Sequence, residues 1–411
     1  MSLRITYCLR GHVLRRRRDG AFSRQKNKGR VLFAGQMYYH TWYLSRALRK
    51  LGWKADVLNW DPSEQDQIYY HGEDFRLFYR RRTALLRHLK FYAKALFKYD
   101  IFHFSNAYGI QFGELLHGFF QKCFGEYSDV TLLKHLGKKV VYSINSCLDG
   151  ASQASLDTLD PAVCAICKWH EVPSVCSDQR NLTWGRMRNS LADYIVGTAY
   201  SPTDYNTDLK VHQVPEFYCL DPKFWSPDLL IPSNYQLPLA RETVKIFHSV
   251  GNFDLRTSGL TKNLKCTHIY LPLVEQLKRE GYNVDLIFFV DVPNKKLRYY
   301  QAQADIVVDM LTYGWFGATV REAMMLGKPA VCFLRPEWLE FARREIPEYV
   351  DELPVISATP ETVHDVVRDL VENPEKRREI GIRSRNFAVK WHSAEVAARK
   401  FDQIYSNLLE D

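Results

Sequence analysis

Asp305-Ile-Val-Val-Asp-Met-Leu-Thr-Tyr-Gly-Trp-Phe-Gly-Ala-Thr-Val-Arg-Glu-Ala-Met-Met-Leu-Gly-Lys-Pro329 is the stretch on which the fold turns. Asp305 to Met310 reads as a strand, Gly314-Trp-Phe-Gly317 as a tight turn, and Ala318 to Leu326 as a helix that starts at once. Strand, glycine turn and helix in immediate succession are the ingredients of a doubly wound parallel sheet. Gly317, Ala318 and Thr319 are small, so the free N–H groups of the first helical turn can meet an anion at the positive end of the helix. Glu322 lies one turn further in, where a carboxylate can accept hydrogen bonds from a ribose diol. The bland alternative is a turn in which Glu322 merely favours the helix dipole. A bare Gly-x-x-Gly does not separate the two.

The same alternation runs outward in both directions. After the turn come strands at Pro329 to Leu334 and Pro354 to Ser357, then an almost wholly helical tail from Pro374 to Leu409 with a break at Trp391-His392-Ser393. Before it come strand Val244 to Val250, helix Leu264 to Arg279 and strand Val284 to Val290. Residues 215 to 241 hold Pro215, Pro222, Pro227, Pro232 and Pro238 with little periodicity, which suits a linker. Upstream, strands are expected at Leu3 to Leu9, Lys54 to Trp60, Tyr99 to Ser105, Lys138 to Ile144, Ala192 to Gly197 and Lys210 to Val214. A helix is expected from Met37 to Leu51, capped by Gly52. The expected organisation is α/β: a first Rossmann-like domain at 1–215, a linker at 216–241, a second domain at 242–389 and a final helix at 390–411. No repeat of 20 to 50 residues suggests a solenoid.

Taken whole, the opening stretch resembles the donor-binding signature of GT-B glycosyltransferases, in particular glycosyltransferase family 4, the group 1 enzymes. There a Glu-Gly-Phe-Gly turn precedes a second glutamate, Ala-Met and Gly-Lys-Pro. Phe316-Gly317, Glu322-Ala323-Met324 and Gly327-Lys328-Pro329 match, whereas Gly314 stands where the family has its first glutamate. That glutamate contacts the donor sugar, and Asp309 is the candidate replacement. Lys262-Asn-Leu-Lys265-Cys-Thr267 resembles the family's pair of cations on the donor diphosphate, and Val290-Asp-Val-Pro293, with Val292, its nucleobase loop. The resemblance covers residues 244 to 410 and is faint before them. Gly35-Gln36 sits where the family has a glycine loop near the diphosphate, displaced by a basic insertion from Arg15 to Arg30. His103 and Asn145 end two strands at the expected cleft edge, and the family commonly has a histidine at the Asn145 position. A histidine at a strand end is also an ordinary structural residue.

The resemblance implies two domains facing a cleft, the last helix returning to the first domain, and transfer of a sugar from a nucleotide-diphosphate donor, UDP- or GDP-linked, to a polysaccharide or lipid-linked acceptor. It implies retention of anomeric configuration without a catalytic metal. Glu322 would hold the ribose, Lys265 and Lys262 the diphosphate, and Gly317, Ala318 and Thr319 the phosphate end of the turn.

Cysteine spacing adds a separate expectation. Cys164-Ala-Ile-Cys167, with Cys147 before it and Cys176 after it, has the pattern of a tetrahedral zinc knuckle, and His170 competes for the fourth place. Buried, unliganded thiols are the alternative. The helix within Arg80 to Lys98 sets Arg87, Lys90, Lys94 and Lys98 on one face against Leu85, Leu89, Tyr92 and Leu96, so contact with an anionic membrane competes with an ordinary solvated face.

Composition bounds these readings. The chain has 411 residues, 46% hydrophobic and 25% charged, with a formal net charge of +9. That excludes wholesale disorder and favours anionic partners. No run of 18 apolar residues reads as a spanning helix. The first residues lack the apolar core of a secretory signal, which points to the cytoplasm, with the inner membrane face as a peripheral site. The rival reading is a non-catalytic binding protein on a degenerate scaffold, using its basic surface and zinc knuckle. No nucleic-acid-binding motif supports it.

Overall fold

The computed structural model describes residues 28–35, 38–60, 68–78, 83–105, 110–198 and 201–410. The expected strand Leu3 to Leu9, most of the basic insertion, Gln36 and Arg80 to Arg82 lie outside them.

Seven parallel strands form the first sheet: β1 (Arg30–Ala34), β2 (Lys54–Asn59), β3 (Phe75–Arg76), β4 (Ile101–Phe104), β5 (Lys139–Ser143), β6 (Tyr194–Gly197) and β7 (Val211–Gln213). Their order is β3-β2-β1-β4-β5-β6-β7. Val31 is paired with Ala55 on one side and Ile101 on the other. Val31 to Ala34 are wholly buried, as a strand covered by helices on both faces must be. This central strand is missing from the sequence expectation. Its five residues follow directly on a Lys/Arg-rich run that hides them.

The second sheet has five parallel strands: β8 (Val244–Val250), β9 (Val284–Val290), β10 (Ile306–Val308), β11 (Ala330–Cys332) and β12 (Ile356–Ser357), in the order β12-β11-β10-β8-β9. Both sheets reverse winding direction inside, between β1 and β4 and between β8 and β10. Such switch points leave a crevice beyond the carboxyl ends of the strands.

The chain between the sheets is packed rather than loose. Phe217 and Trp225 are fully buried, and Arg385 donates to the carbonyls of Trp225 and Pro222 at 2.8 and 3.1 Å. Two helices, Pro374–His392 and Ala394–Glu410, form the tail. They part at Ser393, which pairs with Leu220. The last helix returns to the first domain and lies on helix His40–Lys50. Asp402 accepts from Lys28 Nζ and Trp53 Nε1, and Tyr405 Oη meets His103 Nδ1 at 2.6 Å. Phe401 and Tyr405 are fully buried there, each contributing roughly 1.5–3 kcal/mol to this clasp.

Candidate active site

The turn after β10 is built around an arginine. Gly314 has φ +93°, and a Cβ there would stand 2.7 Å from Arg335 Cβ. Arg335 in turn donates to the carbonyls of Thr312 and Leu159 and to Asp160 Oδ2. A glutamate at position 314 would be strained in this backbone and would collide with Arg335, which is the physical reason for the departure from the resembled motif.

Beyond the turn, Gly317 precedes helix Ala318–Met325. A Cβ on Gly317 would meet nothing closer than 3.8 Å. Internal packing therefore does not demand glycine here. What a side chain would obstruct is the approach to the helix N–H groups from the cleft. Cys266 is left-handed, so the expected helix from Leu264 starts instead at Thr267, leaving Lys265 in the preceding turn. Its Nζ lies 2.5 Å from Asp309 Oδ1 and 3.3 Å from Thr319 Oγ1.

Glu322 is buried in a chain of hydrogen bonds that crosses the cleft. Tyr39 Oη and Asn294 Nδ2 each donate to its Oε1 at 2.6 Å. Asn294 Oδ1 faces His71 Nε2 at 2.9 Å, and His71 Nδ1 faces Tyr43 Oη at 2.7 Å. Burial pushes the His71 imidazole down to about 3, so it is neutral. Since Asn294 Oδ1 can only accept, His71 carries its proton on Nε2 and accepts a hydrogen bond from the Tyr43 hydroxyl at Nδ1. Burial raises the Glu322 carboxyl to about 7, against the pull of Tyr39, Asn294 and Lys265.

Of the expected site residues, Lys265, Gly317, Ala318, Thr319, Glu322, Val292 and Asn145 line one cavity of about 200 Å³ between the two sheets. Asp309 lies beneath it, 1% exposed, holding Lys265. Lys262 is exposed, and Arg256 lines the cavity where a second cation was expected. Gly35 directly follows β1 with φ +81°, donates its N–H to the Leu58 carbonyl and is not among the residues that line the cavity. His103 is fully buried between Ser143 Oγ and Tyr405 Oη, and burial lowers it to about 3. Its neutral ring packs between the sheet and the final helix and does not reach the cleft.

Sequence reasoning missed Arg256, Tyr39 and Asn294. Arg256 ends the short helix Phe253–Arg256 that follows β8 and carried a positional signal. Tyr39 lies 283 residues from Glu322 and carried none. Also unforeseen is Arg321, 2% exposed, its guanidinium 4.7 and 4.8 Å from the ring centres of Tyr218 and Phe316. Its Nε and Nη2 have no hydrogen-bond partner among the described residues. With Gly317 and Ala318 it borders a cavity of about 40 Å³.

The four expected zinc ligands line a second cavity that shares Cys147 with the first. Among the described residues, however, the set whose ligand atoms lie within 4.8 Å of one another is Asp157, Cys164 and His170. On helix Ala84–Lys98, Arg87, Lys90 and Lys94 are exposed. Lys98 is withdrawn from that stripe, because its Nζ pairs with Asp56 at 2.8 Å. No described helix is long and apolar enough to cross a membrane.

Two doubly wound parallel sheets about a cleft, with the last helix returned to the first domain, make this a GT-B fold. Residues 271–387 match the family model described as glycosyl transferases group 1, in agreement with the resemblance read from the turn and its helix. Sucrose-phosphate synthase from Thermosynechococcus elongatus is structurally similar at TM-score 0.58 and 16% identity, over 93% of this chain and 99% of that one. Anabaena HepE in complex with UDP-glucose is similar at TM-score 0.55 and 14% identity, over 92% of this chain and 100% of that one. HepE with UDP and glucose aligns at TM-score 0.54 and 14% identity, over 92% and 99%. No curated protein sequence matches the chain.

Proposed function

We propose that this protein is a glycosyltransferase that moves a sugar from a nucleoside-diphosphate donor to a glycan or lipid-linked acceptor, with retention at the anomeric carbon. The observation that carries the reading is a single cavity at the carboxyl ends of the second sheet. It gathers an open helix N-terminus, two cations and a buried carboxylate. The diphosphate lies against the N–H groups of Gly317 to Thr319, with Lys265 and Arg256 beside it. Glu322 Oε1 is already engaged, so Oε2 is the atom left to accept from the ribose. Val292 and Asp291 face the base. Asn145 and Ser146, from the first domain, border the sugar side.

Charge is the chemistry of such a site. As the bond from the anomeric carbon to the β-phosphate oxygen breaks, negative charge grows on the diphosphate, and preoriented amides and cations stabilise it. Arg321 supports an anion here. A buried guanidinium without a counter-charge costs several kcal/mol, which an anion at the adjacent helix start offsets. Uridine is the first base to test, since the HepE structures hold UDP and UDP-glucose.

The acceptor binds the first domain. A lipid-linked acceptor fits helix Ala84–Lys98, whose Leu86 and Phe97 are 69% and 80% exposed among Arg87, Lys90 and Lys94. This face suits the anionic cytoplasmic leaflet, where each cation contributes about 1 kcal/mol.

One observation favours the non-catalytic rival: Arg335 fills the place of the sugar-binding glutamate. Thermal-shift measurements with UDP, GDP, ADP and CMP separate the two, because a ligand bound only by the folded state raises its stability. The enzyme reading predicts a shift with one nucleoside diphosphate. No shift with any of them, together with salt-sensitive retention on nucleic acid, would favour the rival.

A further inference from the structure

The segment between β5 and β6 gathers metal-ligand atoms for which the donor site has no use. Helix Gln153–Leu159 presents Asp157, and the short helix Pro161–Ala165 presents Cys164. The turn that follows brings round Cys167 and His170. A carboxylate oxygen of Asp157, Cys164 Sγ and a ring nitrogen of His170 lie within 4.8 Å of one another. Cys164 and His170 line a cavity of about 270 Å³ together with Cys147, Cys167 and Cys176, and all these cysteines are free.

Gln153 Nε2 and Asn181 Nδ2 lie 3.2 and 3.4 Å from Cys176 Sγ. Mixed sulfur, imidazole and carboxylate ligands match zinc and exclude the hard cations magnesium and calcium.

We infer that zinc binds at the wall of this cavity, with Asp157, Cys164, Cys167 and His170 as its four ligands. Cys167 takes the fourth place because it is joined to Cys164 by two residues and lines the same cavity. Cys147 and Cys176 line the cavity outside this set, so the four-cysteine arrangement expected from spacing is the competing ligand set. Binding displaces the thiol protons of Cys164 and Cys167 to solvent and leaves the zinc oxidation state unchanged.

The location gives the site a consequence. Cys147, Arg256, Lys265, Met310 and Tyr313 line both this cavity and the donor cavity. The cysteine segment also reaches the second domain, through Asp160 to Arg335 at 2.8 Å and through Lys168 Nζ to the Asp254 carbonyl at 2.8 Å. A metal here fixes a strap that spans the cleft and sets the Asn145–Cys147 edge of the donor cavity. This consequence, unlike the site, rests on the proposed function.

The test uses the full chain purified without chelator. Elemental analysis should find about one zinc per chain. Cys164→Ser and His170→Ala should each weaken zinc retention roughly tenfold or more, with Cys123→Ser as an unaffected control on an exposed cysteine. Should those variants fail to fold, cobalt(II) added to chelator-stripped wild type gives the same answer, through thiolate charge-transfer absorption and four-coordinate ligand-field bands. Zinc-free protein that takes up no cobalt, or a Cys164–Cys167 disulfide found by mass spectrometry, would overturn the site. Full zinc in His170→Ala with loss in Cys147→Ser or Cys176→Ser would overturn this ligand set. Iron with labile sulfide would overturn the choice of metal. Loss of zinc without loss of nucleotide affinity would overturn the strap alone.

Discussion

Replacing Glu322 with glutamine separates what the buried carboxyl costs the fold from what it gives the ligand. Glu322 is 2% exposed, and burial raises its carboxyl from 4.5 to about 7. The folded protein therefore keeps this proton up to about pH 7, whereas the unfolded chain releases it near 4.5. Between those values the folded state binds more protons, so this group's contribution falls as pH rises. The deficit reaches about 3 kcal/mol above pH 7. A glutamine still offers its Oε1 to Tyr39 and Asn294, is close in shape and carries no charge. Glu322→Gln should therefore match wild type near pH 4.5 and exceed it by about 3 kcal/mol at pH 8. Its outward atom becomes an N–H donor where the ribose needs an acceptor. Losing a hydrogen bond to a charged group costs about 1.5–3 kcal/mol, so nucleotide affinity should fall about 10- to 100-fold. Denaturant midpoints at pH 5 and pH 8, with calorimetric titration of UDP, read both effects. Identical pH dependence in the two proteins, or unchanged affinity, would refute the reasoning.

Arg256→Ala should weaken nucleoside-diphosphate binding by tenfold or more, whereas Lys262→Ala, on an exposed turn, should change it less than twofold; parallel titrations of the two folded variants decide. Arg321→Met removes a buried cation, so it should raise the thermal midpoint of the free protein and lower donor affinity, opposite signs that a simple packing defect would not produce. Converting Arg87, Lys90 and Lys94 to glutamine should abolish sedimentation with anionic vesicles at low salt without altering turnover of a soluble acceptor analogue, and further substitution of Lys98 should add only instability from the lost Asp56 pair.

Where one short-range pattern decides structure, the sequence could be read residue by residue. Strands Val244–Val250 and Val284–Val290 fall where their apolar runs begin and end, and helix 318–325 follows its glycine turn as expected. Gly317, Ala318, Thr319, Lys265 and Glu322 were placed together because the turn and the preceding loop carry them on adjacent strand ends. What was not legible depends on partners remote in sequence. Glu322 meets Tyr39 across the cleft, Gly314 is dictated by Arg335, and Lys98 is drawn off its stripe by Asp56. The Cys-x-x-Cys spacing located the thiol cavity, but the approach of Asp157 and His170 to Cys164 comes from the preceding helix on one side and the following turn on the other. His103 looked like a cleft residue from its strand end, and only the returning helix with Tyr405 shows its place in the core.

Phosphorus NMR of the purified protein with a uridine- or guanosine-diphosphate sugar follows the bond the cleft is built to break. The proposed function predicts conversion of one of these donors to its nucleoside diphosphate, faster with an acceptor glycan present. It also predicts proton spectra that show the transferred sugar with its original anomeric configuration, and loss of turnover in Arg256→Ala. A donor that stays intact with every acceptor, or turnover that survives Arg256→Ala and Glu322→Gln undiminished, would contradict it.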